Sequence, residues 1–262
     1  MNKQLIEIAR KTQYDATTHK LGPSPKPKSL VTVVDDALTI TAKFSTVIKQ
    51  RSEPLACEAG CHFCCYLMAT VSAPEALAIA QRLRETRPAE ELKQVKQKVN
   101  RSFKRTRKLD SHARVRAKVA CPLLSDGGTC TIYQFRPLDC MTYHSLNRQA
   151  CEEIMAEPAQ AQPTNPDLQA IGIGVKTGFG QAIAGADLET PALRYELIEA
   201  IQISLNDPHA MKKYLAGKNV FKSAAIITDN VTGIGYKIKY APAHLKAEAK
   251  RVFELESRRL KH

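Results

Sequence analysis

The chain has 262 residues, of which 44% are hydrophobic and 25% charged, and its formal net charge is +13. This length and composition are typical of a globular chain that buries its own core, and they argue against an intrinsically disordered protein. No stretch reaches the 18 or so consecutive apolar residues of a membrane span, and the first residues lack the apolar core of a signal peptide. We therefore expect a cytoplasmic protein without a membrane partner.

The first hundred residues are predicted to be helical. A short helix is expected before a Pro-rich linker at 23–27, and residues 30–51, which contain neither Pro nor Gly, predict a second helix. Ser72 and Glu75 have the spacing of a capping box, which predicts the start of a third helix. Its apolar residues recur at helical spacing: Ala76, Ile79, Ala80 and Leu83. A strongly basic helix is predicted over 89–108.

A run of positive charge extends from Lys93 to Lys118, with 11 basic residues and one acidic residue. Such a run is typical of a solvated helix face, and it could also bind an acidic protein or nucleic acid. The run contains a single aromatic residue, Phe103, whereas a platform for single-stranded nucleic acid stacks bases on several aromatic rings.

The last hundred residues give mixed signals. The glycine-rich run 172–178 lacks the G-x-G-x-x-G spacing of a nucleotide-binding turn, and we interpret it as a loop between helices. Thr190-Pro191 predicts the start of a helix that ends at 206–208, with Leu193, Leu197, Ala200 and Ile201 on one face. A shorter helix follows and ends at Gly217. Residues 224–240 carry strand signals, and residues 242–260 predict a closing helix.

All eight cysteines lie between residues 57 and 151. Clustered thiols in a reducing compartment indicate metal binding or redox chemistry, and thiolates are soft ligands for zinc or an iron–sulfur cluster. The spread of these residues resembles paired structural zinc knuckles less than an iron–sulfur site, which favours iron. The predicted metal ligands are Cys57, Cys61, Cys64, Cys65, Cys121, Cys130, Cys140 and Cys151.

The distribution of these thiols between metal centres stays open. The turn signal Asp126-Gly127-Gly128 predicts a small β-hairpin that brings Cys121 and Cys130 together. Adjacent Cys64 and Cys65 diverge from each other on a helix or strand, so one of them could serve a second centre.

Other groups near the cysteines receive supporting roles. His62 and His144 are expected to support the ligands from outside or to be exposed, and Tyr133 is expected to brace the second cysteine group. Arg136 is the best candidate to offset the negative charge of thiolates. The spacing C-x3-C-x2-C also fits radical S-adenosylmethionine enzymes, but the chain lacks the strand–helix alternation of their barrel.

The cysteine pattern resembles the YkgJ-type cysteine-cluster family, whose members are described as zinc- or iron-chelating proteins. The opening of the pattern is Cys57-x3-Cys61-x2-Cys64-Cys65, followed by Val71-Ser72-Ala73-Pro74-Glu75-Ala76. The later part runs Cys121-Pro122-Leu123-Leu124, Cys130-Thr131-Ile132-Tyr133, Arg136-Pro137, Cys140 and Cys151-Glu152, and similarity extends over roughly 50–222. The family often has Arg at the position that Met141 occupies here.

This resemblance implies a metal centre. A related cysteine pattern in flagellin lysine methylases implies, as an alternative, an iron–sulfur-dependent enzyme that modifies a protein. A third hypothesis is a zinc-stabilised adaptor that binds an acidic partner or nucleic acid through 93–118.

We expect a mainly α fold, with irregular cysteine-rich loops and one small β-hairpin. The expected organisation is an N-terminal extension and linker at 1–29, a cysteine-cluster domain at 30–222 and a C-terminal extension at 223–262.

Overall fold

The computed structural model of the chain describes residues 2–22, 24–58, 60–156, 164–186 and 194–222, and the backbone of 225–228 and 235–237. The fold is mainly α-helical, as predicted. The helices are α1 (Lys3–Leu21), α2 (Pro27–Arg51), α3 (Ala73–Thr86), α4 (Ala89–Thr106), α5 (Ser111–Arg116), α6 (Leu138–Thr142), α7 (Arg148–Glu153), α8 (Pro166–Gly185), α9 (Leu197–Asn206) and α10 (Ala210–Leu215). The strands are β1 (Thr70–Val71), β2 (Arg194–Glu196), β3 (Ala225–Thr228) and β4 (Gly235–Lys237).

Local capping signals explain where several helices begin. At the start of α3, the Ser72 hydroxyl accepts a hydrogen bond from the Glu75 amide, and the Glu75 carboxylate accepts one from the Ser72 amide at 2.8 Å. This reciprocal pair satisfies two amides that the helix leaves without partners, and it confirms the predicted capping box. The predicted basic helix is α4, and the predicted stop of α10 is confirmed by the left-handed conformation of Gly217, with φ 72°.

The glycine-rich run was predicted to be a loop, and this prediction is wrong because the run lies inside α8. A Cβ atom at Gly174 would overlap the carbonyl oxygen of Ile6, and one at Gly178 would overlap that of Arg10. The glycines therefore let the backbones of α1 and α8 approach closely, which offsets the poor helix propensity of glycine.

A four-stranded antiparallel sheet in the order β1-β2-β3-β4 lies beside the helices. Strand β2 pairs with β1, with Thr70 opposite Glu196.

A helix is present near the predicted position, but its predicted start at Thr190-Pro191 is wrong. Residues 194–196 form β2, and α9 begins at Leu197. The predicted strand signals within 224–240 are confirmed by β3 and β4. Residues 190–193 and the predicted closing helix at 242–260 lie outside the described residues.

The hydrophobic core is shared by α1, α2, α3, α8 and α9. Its members include Ala9, Leu30, Leu83, Phe179 and Ile198, none of them more than 1% exposed. Helix α1 belongs to this core although it lies within the predicted extension 1–29; the proposed division of the chain stays a prediction. None of the described helices is both long enough and apolar enough to cross a membrane.

Candidate metal centre

The first cysteine group occupies a loop that follows α2. Gly60 has a φ of 86°, a left-handed conformation that glycine adopts without strain. The Cys61 amide donates to the Glu58 carbonyl at 3.1 Å, and a 3₁₀ turn over Phe63–Tyr66 carries the adjacent thiols Cys64 and Cys65. The tight turns bring four thiols together within nine residues.

The second group packs directly on the first. The Cys121 amide donates to the Cys65 carbonyl at 2.8 Å. A turn follows, in which Gly128 has a φ of 75°, and a Cβ atom at Gly128 would lie 3.1 Å from Nδ1 of His62. Glycine thus allows the turn to approach the first loop, and the main chain sets the distance between the two groups.

The predicted hairpin around this turn is shorter than a regular β-hairpin. The Ser125 amide donates to the Thr129 carbonyl at 2.8 Å, and Leu124 and Cys130 form a single isolated β-bridge. The charge of Cys130 contributes to raising the pKa of Cys121. The turn therefore brings the two thiols together, as predicted.

Two short helices supply the last two thiols. Cys140 lies on α6 and the buried Cys151 on α7. Between these helices, the Ser145 amide donates to the sulfur of Cys57 at 3.3 Å, and the Ser145 carbonyl accepts from the Ala56 amide at 2.9 Å. This connection holds the first cysteine loop against the segment that leads to α7.

Cys57, Cys61 and Cys151 form one electrostatic neighbourhood, which Cys64 borders. Burial raises the pKa of Cys57, and the negative charges of Cys61, Cys64 and Cys151 raise it further. The pKa of Cys151 is raised for the same reasons, first by burial and then by Cys61 and Cys64. Cys57 and Cys151 therefore lie close enough to Cys61 and Cys64 for the charges of those two thiols to disfavour their ionisation.

Four other thiols form a second neighbourhood. Burial raises the pKa of Cys121 to about 11, with a contribution from Cys130. Burial also raises the pKa of Cys140, and the neighbouring Cys64, Cys121 and Cys130 add to that effect. The pKa of Cys65 is raised by its hydrogen bond to Cys64, by burial, and by the charges of Cys121 and Cys140.

Cys64 lies between the two neighbourhoods. Its hydrogen bond with Cys65 lowers the pKa of Cys64 to about 7, and the positive charge of Arg136 contributes. The same guanidinium partly offsets the effect of burial on the pKa of Cys130 and lies 3.7 Å from the ring centroid of Tyr133. Arg136 thus brings a positive charge to the thiols while its flat face stacks on an aromatic ring.

The donor chemistry of these residues fits a soft metal. All eight cysteines are free thiols, and sulfur ligands suit zinc and iron–sulfur clusters. Among the residues that the structure describes, no group of three or more Cys, His, Asp or Glu side chains is arranged tightly enough to hold a metal ion. The thiols are therefore gathered in one region without a preformed coordination geometry.

A partly buried polar network supports the helix that carries Cys140. Burial by itself would raise the pKa of Asp139, but the charges of Lys176 and Arg194 hold it well below the usual range. The Asp139 carboxylate accepts from the Thr70 amide at 3.0 Å and forms an ion pair with Lys176. A partly buried carboxylate with cationic and amide partners fixes the first turn of α6.

The network continues to the start of α3. Arg194 donates to the Glu75 carboxylate at 2.9 Å, and Glu75 also accepts from the Leu138 amide at 2.9 Å. Sequence reasoning found Glu75 as a cap but did not connect it to Arg194. The partners lie more than a hundred residues apart in the chain, so no local pattern identifies them.

The two histidines occupy different environments. His62 places its Nδ1 atom 3.1 Å from the Gly60 carbonyl oxygen, within the first cysteine loop. His144 is buried, and burial lowers its pKa to about 4, with further contributions from Lys49 and Arg136. A neutral imidazole at position 144 is therefore favoured in the folded protein.

Comparison with known proteins identifies the cysteine-rich segment. No curated protein and no solved structure matches this chain significantly. Residues 56–160, which contain all eight cysteines, match the model of the CxxCxxCC family, described as "Putative zinc- or iron-chelating domain". The match spans 105 of the 262 residues and confirms, over 56–160, the resemblance seen in the sequence. The region that gathers the thiols is thus similar to a zinc- or iron-chelating domain of the CxxCxxCC family.

Proposed function

We propose that this protein chelates iron, as an iron–sulfur centre, or zinc, through its eight cysteines. The observation that supports this proposal is the convergence of eight free thiols, from five separated places in the chain, into two adjoining groups that share Cys64. Thiols held this close disfavour one another's ionisation, so several of them become thiolates together only when a cation offsets their charge. A metal ion or cluster that replaces the thiol protons supplies that positive charge.

The neighbourhoods suggest a division of the ligands. One set would consist of Cys57, Cys61, Cys64 and Cys151, and the other of Cys65, Cys121, Cys130 and Cys140. Cys64 is in range of both groups, whereas Cys65 interacts with Cys121 and Cys140 of the second. Four thiolates per set match the ligand number of a closed zinc site or of a cubane cluster.

We favour iron over zinc because of how the thiols are spaced along the chain. Structural zinc sites commonly use two pairs of cysteines in C-x2-C knuckles, whereas Cys61 and Cys64 form the one such pair here and four thiols come singly from separate turns and short helices. The positive charge of Arg136 beside Cys64 and Cys130 suits a negatively charged thiolate site with either metal.

Free thiols throughout the cluster fit a reducing compartment. We therefore place the protein in the cytoplasm, where thiols that are not bound to metal stay reduced.

The test is anaerobic purification of the full chain, followed by an absorption spectrum and elemental analysis of one sample. A brown protein that absorbs near ~400 nm and contains iron and acid-labile sulfide supports an iron–sulfur centre. A colourless protein with about two zinc ions per chain supports zinc chelation instead. Protein without stoichiometric metal of either kind, under both anaerobic and zinc-supplemented purification, would contradict the proposal.

A second candidate function is an iron–sulfur-dependent enzyme. The observation that favours it is a cavity of about 810 Å³ lined by Cys121, His62 and Tyr66 and by several basic residues. A cavity in which a few polar and charged groups converge is the usual arrangement of a catalytic site, and this one borders a proposed metal ligand. X-ray absorption at the metal edge tests this function: one ligand lighter than sulfur supports an open position, whereas an all-sulfur shell argues against it.

A further inference from the structure

The basic segment supplies one wall of the cavity beside Cys121. Lys98, Arg101, Ser102 and Arg105 of α4 line this wall. They occupy positions i, i+3, i+4 and i+7, so they share one face of the helix. Like charges at these spacings destabilise a helix, and the arrangement therefore has a cost that a bound anion would offset.

The facing wall adds another positive charge. Lys118 lines the cavity with a φ of 48°, a left-handed conformation that is unfavourable for lysine. Its amide donates to the Val115 carbonyl at 2.8 Å, which closes the turn after α5. Unfavourable backbone conformations concentrate at ligand-binding sites, because the rest of the fold compensates for them.

These charges have little compensation within the described part of the chain. Lys98 lies 4.0 Å from the carboxylate of Asp126, whereas Arg101, Arg105 and Lys118 form no ion pair with any described residue. Four basic side chains and one carboxylate line the cavity, so its formal charge is +3 with His62 neutral. A single phosphate group carries about −2, and two or more phosphates therefore match this charge.

We propose that this cavity, between α4 and the loops at 118–128, binds a small molecule that carries two or more phosphate groups. The volume of about 810 Å³ lies in the range of small-molecule sites, and two arginines at i and i+4 present the forked donors that hold phosphate oxygens. A ligand in this cavity lies beside Cys121, at the border of the cysteine cluster. A nucleic acid strand is the less favoured occupant, because the basic wall is a single helical face and Tyr66 is the one Phe, Tyr or Trp side chain among the described lining residues.

The test uses the full, metal-loaded chain and pyrophosphate as the probe in isothermal titration calorimetry. The double variant Arg101→Gln/Arg105→Gln is compared with Lys104→Gln/Arg107→Gln, which removes two positive charges from the same segment outside the cavity. We expect the cavity variant to bind pyrophosphate at least about tenfold more weakly, and the control variant to bind within about twofold of the parent.

A second variant protects the test against a folding defect. Lys118→Asn removes one charge, and asparagine tolerates the left-handed backbone better than lysine. We expect about fivefold weaker binding with an unchanged melting temperature. Metal content is measured in every sample before and after titration, because pyrophosphate chelates metals.

Three results would overturn the proposal. One is the absence of pyrophosphate binding by the parent protein with its metal retained. Another is equal weakening in the cavity and control variants, which would indicate only general attraction to a basic surface. The third is stronger binding of a twelve-nucleotide RNA than of pyrophosphate, with both double variants affected alike. Metal content and pyrophosphate binding are measured separately on each sample, so failure here is distinguishable from failure of metal chelation.

Discussion

The guanidinium of Arg114 lies 3.2 Å from the carboxylate of Glu196, and the two side chains are 2% and 1% exposed. Arg114 also donates to the carbonyl of Val119 at 3.3 Å and to that of Cys65 at 3.4 Å. Glu196 accepts hydrogen bonds from the first amides of α9. One member of the basic segment is thus a buried structural residue that connects the first cysteine loop to the start of α9.

Loss of this arginine is expected to be strongly destabilising. Arg114→Ala leaves the Glu196 charge buried without its cation, and we expect the free energy of unfolding to fall by about 3–5 kcal/mol. Arg116→Ala is the matched control, because Arg116 is exposed on the same helix, and its loss should change stability by less than about 0.5 kcal/mol. Urea denaturation followed by circular dichroism measures both values. Equal stability of the two variants would contradict the role assigned to Arg114.

The helix starts that could be predicted from sequence are those with local signals. The capping box of Ser72 and Glu75 lies within four residues, so the residues that form the sequence pattern also make the hydrogen bonds that it predicts. The cysteine cluster was also visible, because thiols are rare and their clustering has few explanations. In both cases the information lies in neighbouring residues.

The errors came from elements that depend on distant partners. Residues 172–178 form a helix that packs closely on α1, more than 150 residues earlier in the chain, and the glycines make that close packing possible. Residues 194–196 form a strand because they pair with β1. The network around Asp139 likewise joins β1, α3, α6, α8 and β2, and no window of the sequence contains its members together.

The contact between α1 and α8 predicts different effects for glycines of one helix. Gly178→Ala places a methyl group against the Arg10 carbonyl, and the resulting overpacking should cost about 1–3 kcal/mol. Gly185→Ala is the control, because a Cβ atom there meets no atom within 4 Å. The control should leave the melting temperature unchanged or slightly raised, since alanine favours helix. Thermal unfolding of the two variants decides the matter: a Gly178→Ala protein as stable as the control would show that the helices do not need this approach.

Acidification is expected to destabilise the protein through His144. The folded pKa of His144 is lowered to about 4, whereas an unfolded histidine titrates near 6.5, so protons bind preferentially to the unfolded state below pH 6.5. This contribution is absent above pH 6.5 and grows as the pH falls towards 4. It should reach roughly 2 kcal/mol, allowing for the partial access of solvent.

His144→Gln removes this titration and should flatten the stability curve between pH 6.5 and 4 relative to the parent. His19→Gln is the control, because His19 is exposed near the end of α1. Chemical denaturation at pH 7, 6, 5 and 4 provides the curves. Parallel curves for the parent and His144→Gln would show that His144 does not titrate abnormally.

The proposed division of the eight thiols predicts how metal is lost. Cys61→Ser removes a ligand from the set of Cys57, Cys61, Cys64 and Cys151, and Cys130→Ser removes one from the other set. If the sets are separate centres, each variant should retain about half of the parent's metal, and the double variant should retain almost none. Each variant should also melt at a lower temperature, because metal binding contributes to folding of the region that contains the ligands. Elemental analysis and thermal unfolding measure the two effects.

Tyr133→Phe is the control, since it keeps the ring under Arg136 and changes no thiol. Complete metal loss in either single variant would indicate one shared centre, and full retention in both would show that these two thiols are not ligands.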